Sequence, residues 1–205
     1  MAEARPGGDA ALLLRDFVNT LDVESGNDGF TSPARLAAWL AERGLVTARV
    51  KATGADLTAA IALREGLRAA MLVHHDPSAP DLPGEADDAL GDDLEDALAA
   101  LPLRISFTGA SPSLLPLGSP GEAATGLARV AAAIMDAAAA GTWARLKVCQ
   151  EDTCRWAFLD TSKNRSRSWC SMSVCGNRTK TRAYRARRRP ASGRPAGGAP
   201  GRPTA

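Results

Sequence analysis

The sequence predicts an α+β protein: a helix-rich N-terminal body with one small β-hairpin, then a small second module ending in a basic helix. Three observations predict it. Apolar residues recur at spacings of three and four through most of residues 10–144; over 103–109 the spacing drops to two; and the four cysteines of the 205-residue chain close the patterned region in two pairs. Aromatic residues make up only 4% within an ordinary 45% apolar content. Alanine and leucine must therefore build most of the core, and alanine has the highest helix propensity of all residues.

Residues 1–9 carry no periodic pattern and read as a disordered N-terminus. From Asp9 to Asp22, Leu12, Leu13, Phe17, Val18 and Leu21 mark a first helix. SGNDG at 25–29 reads as a loop. Ser32 before Pro33 starts a second helix and Gly44 stops it, with Leu36, Trp39 and Leu40 as its stripe. A longer helix is expected from Asp56 to His74, with Leu57, Ile61, Leu67, Met71 and Leu72 inward and Arg64 and Arg68 flanking them. PSAPDLPG at 77–84 breaks it. A helix over 85–100 places Leu90, Leu94 and Leu98 on one face and Asp88, Asp92, Asp93 and Asp96 on the remaining surface.

LRISFTG at 103–109 alternates Leu103, Ile105 and Phe107, which favours a strand, and LLPLG returns after the Ser111–Pro112 turn as its partner. Ser119, Pro120 and Glu122 read as a capping box. The helix it opens buries Leu127, Val130, Ile134 and Ala138, and Gly141 ends it. Residues 190–205 are half Pro and Gly and read as disordered. The expected division is an N-terminus 1–9, a body 10–144, a module 145–189 and a tail 190–205.

The net charge of +2 conceals an asymmetry. Residues 1–144 carry 10 Lys+Arg against 20 Asp+Glu, whereas residues 145–205 carry 15 against 3, so a body of −10 adjoins an end of +12. A basic end on an acidic body points to a polyanionic partner for the end. No run reaches the ~18 apolar residues of a membrane span. The start, MAEARPGGDA, lacks the basic-then-apolar pattern of a secretory signal. A cytoplasmic place is expected, where paired thiols serve metals more often than disulfides.

Cys149 and Cys154, and Cys170 and Cys175, are two C-x4-C pairs with fifteen residues between them. Two close thiol pairs suit a tetrahedral Zn2+ site. A module of roughly 40 residues with few large apolar groups does not fold on its own core. A structural zinc contributes about 10–16 kcal/mol in peptides of this kind. Trp156, Phe158 and Leu159 read as a short strand forming the module's apolar centre beside Trp169. A helix is expected after Cys170 with Cys175 in its first turns, where the helix N-terminus favours a thiolate. The N–H groups of Gly176 and Asn177 are expected to bond the sulfurs. The result is a treble-clef or zinc-ribbon-like module.

Beyond it, Arg178, Arg182, Arg185 and Arg189 fall at spacings of four, three and four, one stripe within about 60° of arc. Lys180, Arg187 and Arg188 lie elsewhere on the wheel, beside Tyr184. Such a helix has no apolar face, and like charges at this spacing destabilise it. A phosphate backbone is the plainest group to offset the repulsion. Lys163, Arg165 and Arg167, in the loop between the cysteine pairs, add to the expected nucleic-acid surface.

Cys175-Gly176-Asn177-Arg178, preceded by Trp169-Cys170-Ser171 and by Cys149 and Cys154, resembles the bacterial CGNR-type zinc finger. The phrase Asp16-Phe17-Val18-Asn19-Thr20-Leu21-Asp22 resembles the start of the ABATE domain, and Trp143-Ala144-Arg145-Leu146-Lys147 the approach to its finger. The resemblance spans nearly the whole chain except its tail. It implies a stress-related transcription regulator that contacts DNA through its basic finger.

Elsewhere the sequence offers no catalytic constellation, and no enzymatic activity is expected. His74 and His75 point about 100° apart on a helix and read as residues favoured at its C-terminal end. Asp16 and Asp22 share no helical face. Asn19 and Thr20 read as local hydrogen-bonding residues. DDALGDD at 87–93 lacks the pattern of a calcium loop. The functional expectation is a zinc-dependent DNA-binding transcriptional regulator. The alternative is a module for RNA or an acidic protein, with the finger structural and the body sensing a ligand or a protein effector. Dimerisation suits a finger that reads few base pairs, but no residue here signals it.

Overall fold

The chain folds as the expected α+β protein in a computed structural model that describes residues 6–75, 88–109, 111–119 and 122–188. Residues 1–5 and 190–205 of the expected disordered ends, the 77–84 breaker, Pro120 and Arg189 lie outside the described residues, whereas residues 6–9, expected to be disordered, form the first turn of a helix that starts three residues before Asp9.

Helix α1 (Pro6–Val18) stops four residues before Asp22. There the Thr20 hydroxyl bonds back to the Phe17 carbonyl at 2.8 Å, closing the helix end. Leu21–Asp22 (β1) then pairs with Asn27–Asp28 (β2), so the expected loop is the turn of a minimal hairpin. The Asp22 carboxylate accepts from the N–H groups of Glu24 and Ser25, and Gly26, at φ 74°, supplies the left-handed turn.

Helix α2 (Pro33–Glu42) is capped by the Ser32 hydroxyl and closed at Gly44, as expected. Helix α3 (Gly54–Val73) begins two residues before Asp56, because Thr53 and Asp56 form a capping box. Helix α4 (Asp88–Ala99) follows, with Asp92, Asp93 and Asp96 exposed. Strands β3 (Leu103–Ser106) and β4 (Ser113–Pro116) form the expected antiparallel hairpin, Ile105 opposite Leu114.

Helix α5 (Ala123–Ala139) starts later than expected. Ser119 does not cap it with its side chain; its carbonyl accepts from the Thr125 hydroxyl at 2.7 Å. The helix N-cap is Glu122, which makes no side-chain cap. The inward face carries Leu127, Val130 and Ala137, whereas Ala138 is exposed.

Packing joins these elements through one shared cluster of buried residues. Helix α1 lies along α5, α2 bridges α3 and α5, and α3 packs on α4. The contact between α3 and α4 closes at Gly66, where an added Cβ would meet Leu94 Cβ at 2.5 Å. Phe17, Phe30 and Trp39 make a mutual ring cluster with centroids 5.5–5.8 Å apart. Among the described residues, no helix is long and apolar enough to cross a membrane.

The same cluster continues into the second module. Strands β5 (Leu146–Val148) and β6 (Ala157–Leu159) form an antiparallel hairpin, β5 against α3 and β6 against α1. Leu146, Val148 and Ala157 are fully buried in the core formed by the body helices. The module therefore draws its apolar support from the body, not from a centre of its own. Trp156, expected inside, precedes β6 and is exposed.

Arg64 and Arg68, expected to flank the α3 stripe, are 2% and 8% exposed. Arg64 forms a two-point ion pair with Asp28 at 2.7 and 3.0 Å and donates to Glu65. Arg68 donates to the carbonyls of Val18 and Leu21 and, across the module boundary, to that of Arg155 at 2.8 Å. The Arg68 guanidinium satisfies carbonyls that the α1 end and the β1 turn leave without helical partners.

Candidate metal centre and nucleic-acid interface

Strand β5 leads directly into Cys149, whose N–H continues the ladder to the Trp156 carbonyl at 2.9 Å. The chain between them is a tight knuckle. Cys154 N–H bonds the Glu151 carbonyl at 2.8 Å, and Arg155 takes a left-handed conformation at φ 50° to turn back into β6. Gln150 N–H bonds the Ser168 carbonyl at 3.0 Å, which brings the second cysteine pair onto the knuckle. Cys175 lies in a π-turn, Met172–Gly176, capped by the Ser171 hydroxyl.

These turns bring the four sulfurs within 4.8 Å of one another. Cys154 Sγ is 3.6 Å from Cys170 Sγ, which is 3.7 Å from Cys175 Sγ. A tetrahedral ion with bonds of about 2.3 Å to sulfur separates its ligands by about 3.8 Å, so the donor set fits. Cys149, Cys154 and Cys175 are buried and Cys170 half-buried, and all four are free thiols. Burial, reinforced by the neighbouring sulfurs, pushes the Cys170 thiol far above its ordinary value and that of Cys175 up to about 12. A divalent cation reverses that penalty by binding the thiolates themselves.

Around the sulfurs, the groups differ from expectation. The N–H of Gly176 bonds the Ser171 carbonyl and that of Asn177 the carbonyls of Met172 and Val174, not the sulfurs, because the π-turn consumes them. Arg167 stacks on Phe158, 4.7 Å from the ring centroid, and donates to the carbonyls of Trp169 and Cys170. It thus orders the loop that carries Cys170. Lys147 is buried on β5 and pairs with Asp160 at 3.0 Å, also donating to the Arg165 carbonyl. Burial opposes the charge on Asp160, yet bonds from Ser162, Lys147 and the Arg167 N–H hold its carboxyl well below the usual range. This buried pair, invisible as a pattern in sequence, fixes the 161–168 loop to the hairpin.

Helix α6 (Asn177–Arg188) leaves the metal site directly. Two members of its arginine stripe are taken up within the chain. Arg182 donates to Glu151 at 2.7 Å, and the Thr179 and Thr153 hydroxyls bond the same buried carboxylate at 2.9 and 3.2 Å. The Arg182 bond, before any other group, holds the Glu151 carboxyl below its ordinary value. Arg178 reaches Glu24 of the β1–β2 turn at 2.8 Å. The repulsion along the stripe is therefore offset in part from inside the chain. Arg185, Lys180, Lys163 and Arg165 are exposed. The side chains of Arg187 and Arg188, and all of Arg189, lie outside the described residues.

Asn19, read as a local hydrogen-bonding residue, instead clamps the two modules: its amide donates to the Ala157 carbonyl at 2.9 Å and accepts from the Ala157 N–H at 2.8 Å. His74 and His75 also cross the boundary, bonding the carbonyls of Leu146 and Val148, each at 2.6 Å. The sequence signal for both was their place beside a helix end, where side chains are free to reach across.

The arrangement defines a class: a helical body continuous with a four-cysteine, metal-binding finger. Two family models match in the same order. Residues 11–141 match the ABATE model, described as "Putative stress-induced transcription regulator", and residues 145–188 match the CGNR zinc finger. The first match spans well over half of the chain, and the chain belongs to the ABATE family, with a CGNR finger following the ABATE domain. No curated protein matches it.

Proposed function

We propose that the chain is a zinc-dependent DNA-binding regulator of transcription, acting in the cytoplasm and without enzymatic activity. Cys149, Cys154, Cys170 and Cys175 hold the ion, and zinc is favoured by an all-sulfur donor set. The observation that carries the reading is the convergence of the four sulfurs at the root of α6. A metal there fixes the first turn of a helix whose residues are otherwise too basic to order alone. Bound zinc contributes structure and no reaction step. Among the described residues of the finger, Lys163, Arg165, Lys180 and Arg185 are exposed cations open to a phosphate backbone. Arg178 and Arg182 join with the guanidinium nitrogens that Glu24 and Glu151 leave open, or by exchanging those carboxylates for phosphate.

The test is fluorescence anisotropy of the zinc-loaded chain on a mixed-sequence duplex across a salt series. The reading expects a steep log–log slope equivalent to roughly 4–8 phosphates, reduced by about one in Lys180→Ala. No binding at low salt would sink it. Stronger binding to RNA than to DNA at equal salt would move the function to the RNA-binding alternative.

A further inference from the structure

An open cleft of about 730 Å3 lies between α1 and the finger, within the size range of small-molecule sites. Arg15, Asp16 and Leu12 of α1, Arg43 after α2, and Trp156 and Arg167 of the finger line it. Asp16 is a shared brace. Arg15 donates to one carboxylate oxygen at 2.8 and 2.6 Å, and Arg43 to the other at 3.1 Å. Arg43 is further fixed by stacking on Trp39, 4.7 Å from the ring centroid.

Arg15 and Arg43 share the one Asp16 carboxylate, a surplus of one positive charge in an otherwise acidic body, and Arg167 of the finger lines the same cleft. The side chains of Arg15 and Arg43 keep about a third of their surface open, at 35% and 36%. Beside them the Trp156 indole and Leu12 are exposed, at 37% and 39%. Prepositioned guanidiniums next to an open aromatic and aliphatic wall suit a ligand that is anionic at one end and flat and apolar at the other.

We propose that this cleft is a binding site for a small aromatic carboxylate, its carboxylate on Arg15 and Arg43 and its ring against Trp156 and Leu12. Arg167 and Cys170 line the same cleft, so a ligand there lies next to the metal loop. The inference stands apart from the nucleic-acid reading, and its test uses no nucleic acid.

The full-length, zinc-loaded chain is titrated by calorimetry with 1-naphthoate, with the neutral 1-naphthalenemethanol and with acetate. Naphthoate is expected to bind one to one, with the alcohol and acetate weaker by about tenfold or more. Arg15→Gln/Arg43→Gln should weaken naphthoate by about tenfold, and Trp156→Ala by a similar factor, with circular dichroism unchanged. Trp156 is exposed and outside the core, so that variant keeps the test valid even where the double variant is unstable. Absence of naphthoate binding at about 5 mM, equal affinity for the alcohol, or full affinity in Trp156→Ala overturns the proposal.

Discussion

Asn19 sits in a motif of seven residues in which each polar side chain has a separate task. Asp16 braces two arginines, Asn19 holds β6, Thr20 closes α1, and Asp22 caps the following turn. Asn19→Ala leaves the Ala157 N–H and carbonyl without partners, each worth about 1–3 kcal/mol. Guanidinium denaturation should therefore show a loss of about 2–4 kcal/mol; an unchanged midpoint would show that water replaces the amide. The Lys147–Asp160 pair makes a second case, because both groups are removed from solvent. Lys147→Met alone should cost about 3–5 kcal/mol by stranding a buried carboxylate, whereas Lys147→Met/Asp160→Asn should recover most of it. Equal losses in the single and double variants would mean that the charge is not what matters.

His75 supplies the pH dependence at this scale. Burial, the largest influence, holds its imidazole below the ordinary value despite its bond to Val148. The unfolded chain thus binds more protons near its own pKa of about 6.5. The contribution of His75 is complete above that pH and is lost as the pH falls below it. The stability difference between the wild type and His75→Gln should shrink from about pH 7.5 to about pH 5.5. A difference that stays constant would assign the acid sensitivity to other groups.

Among the elements, α3 and α4 approach closely at Gly66. Alanine there meets Leu94 Cβ at 2.5 Å, inside the helix rather than at a flexible end. Gly66→Ala should destabilise by about 1–3 kcal/mol despite the better helix propensity of alanine, since the overlap has to be relieved by moving α4. A stabilised variant in thermal unfolding would show that α4 yields freely. Helix α6 shows the opposite situation. It has almost no apolar surface, and what orders it is the metal-binding turn before it, plus Glu151 and Glu24.

For the whole molecule, the finger divides into two parts with different supports. The β5–β6 hairpin is anchored in the body core, while the Cys170–Arg188 stretch depends on the sulfurs and on a few ion pairs. Removal of metal by a chelator should therefore leave amides of 146–148 and 157–159 protected from hydrogen exchange and expose those of 170–188. Loss of protection in the hairpin as well would place the whole finger, rather than its outer half, under control of the metal.

The sequence by itself determined the helical body, the β3–β4 hairpin, the four ligands and the basic helix. Each is written in local terms: periodicity of apolar residues, turn chemistry, paired thiols, charge along a wheel. Helix bounds slipped at two caps: Thr53 forms a capping box with Asp56 and opens α3 early, and the Ser119 carbonyl accepts from Thr125 while its side chain leaves α5 uncapped. Only the tertiary structure decided which charges are free. Arg64, Arg68, Arg182, Glu151, Lys147 and Asp160 look like surface residues in sequence, yet each finds a partner across a distance that no period encodes, Arg68 at the carbonyls of Val18 and Arg155. The same holds for the cleft beside Asp16 and for the finger's dependence on the body. Both arise where segments more than a hundred residues apart meet, as Asn19 meets Ala157, and burial then fixes what each polar group must bond.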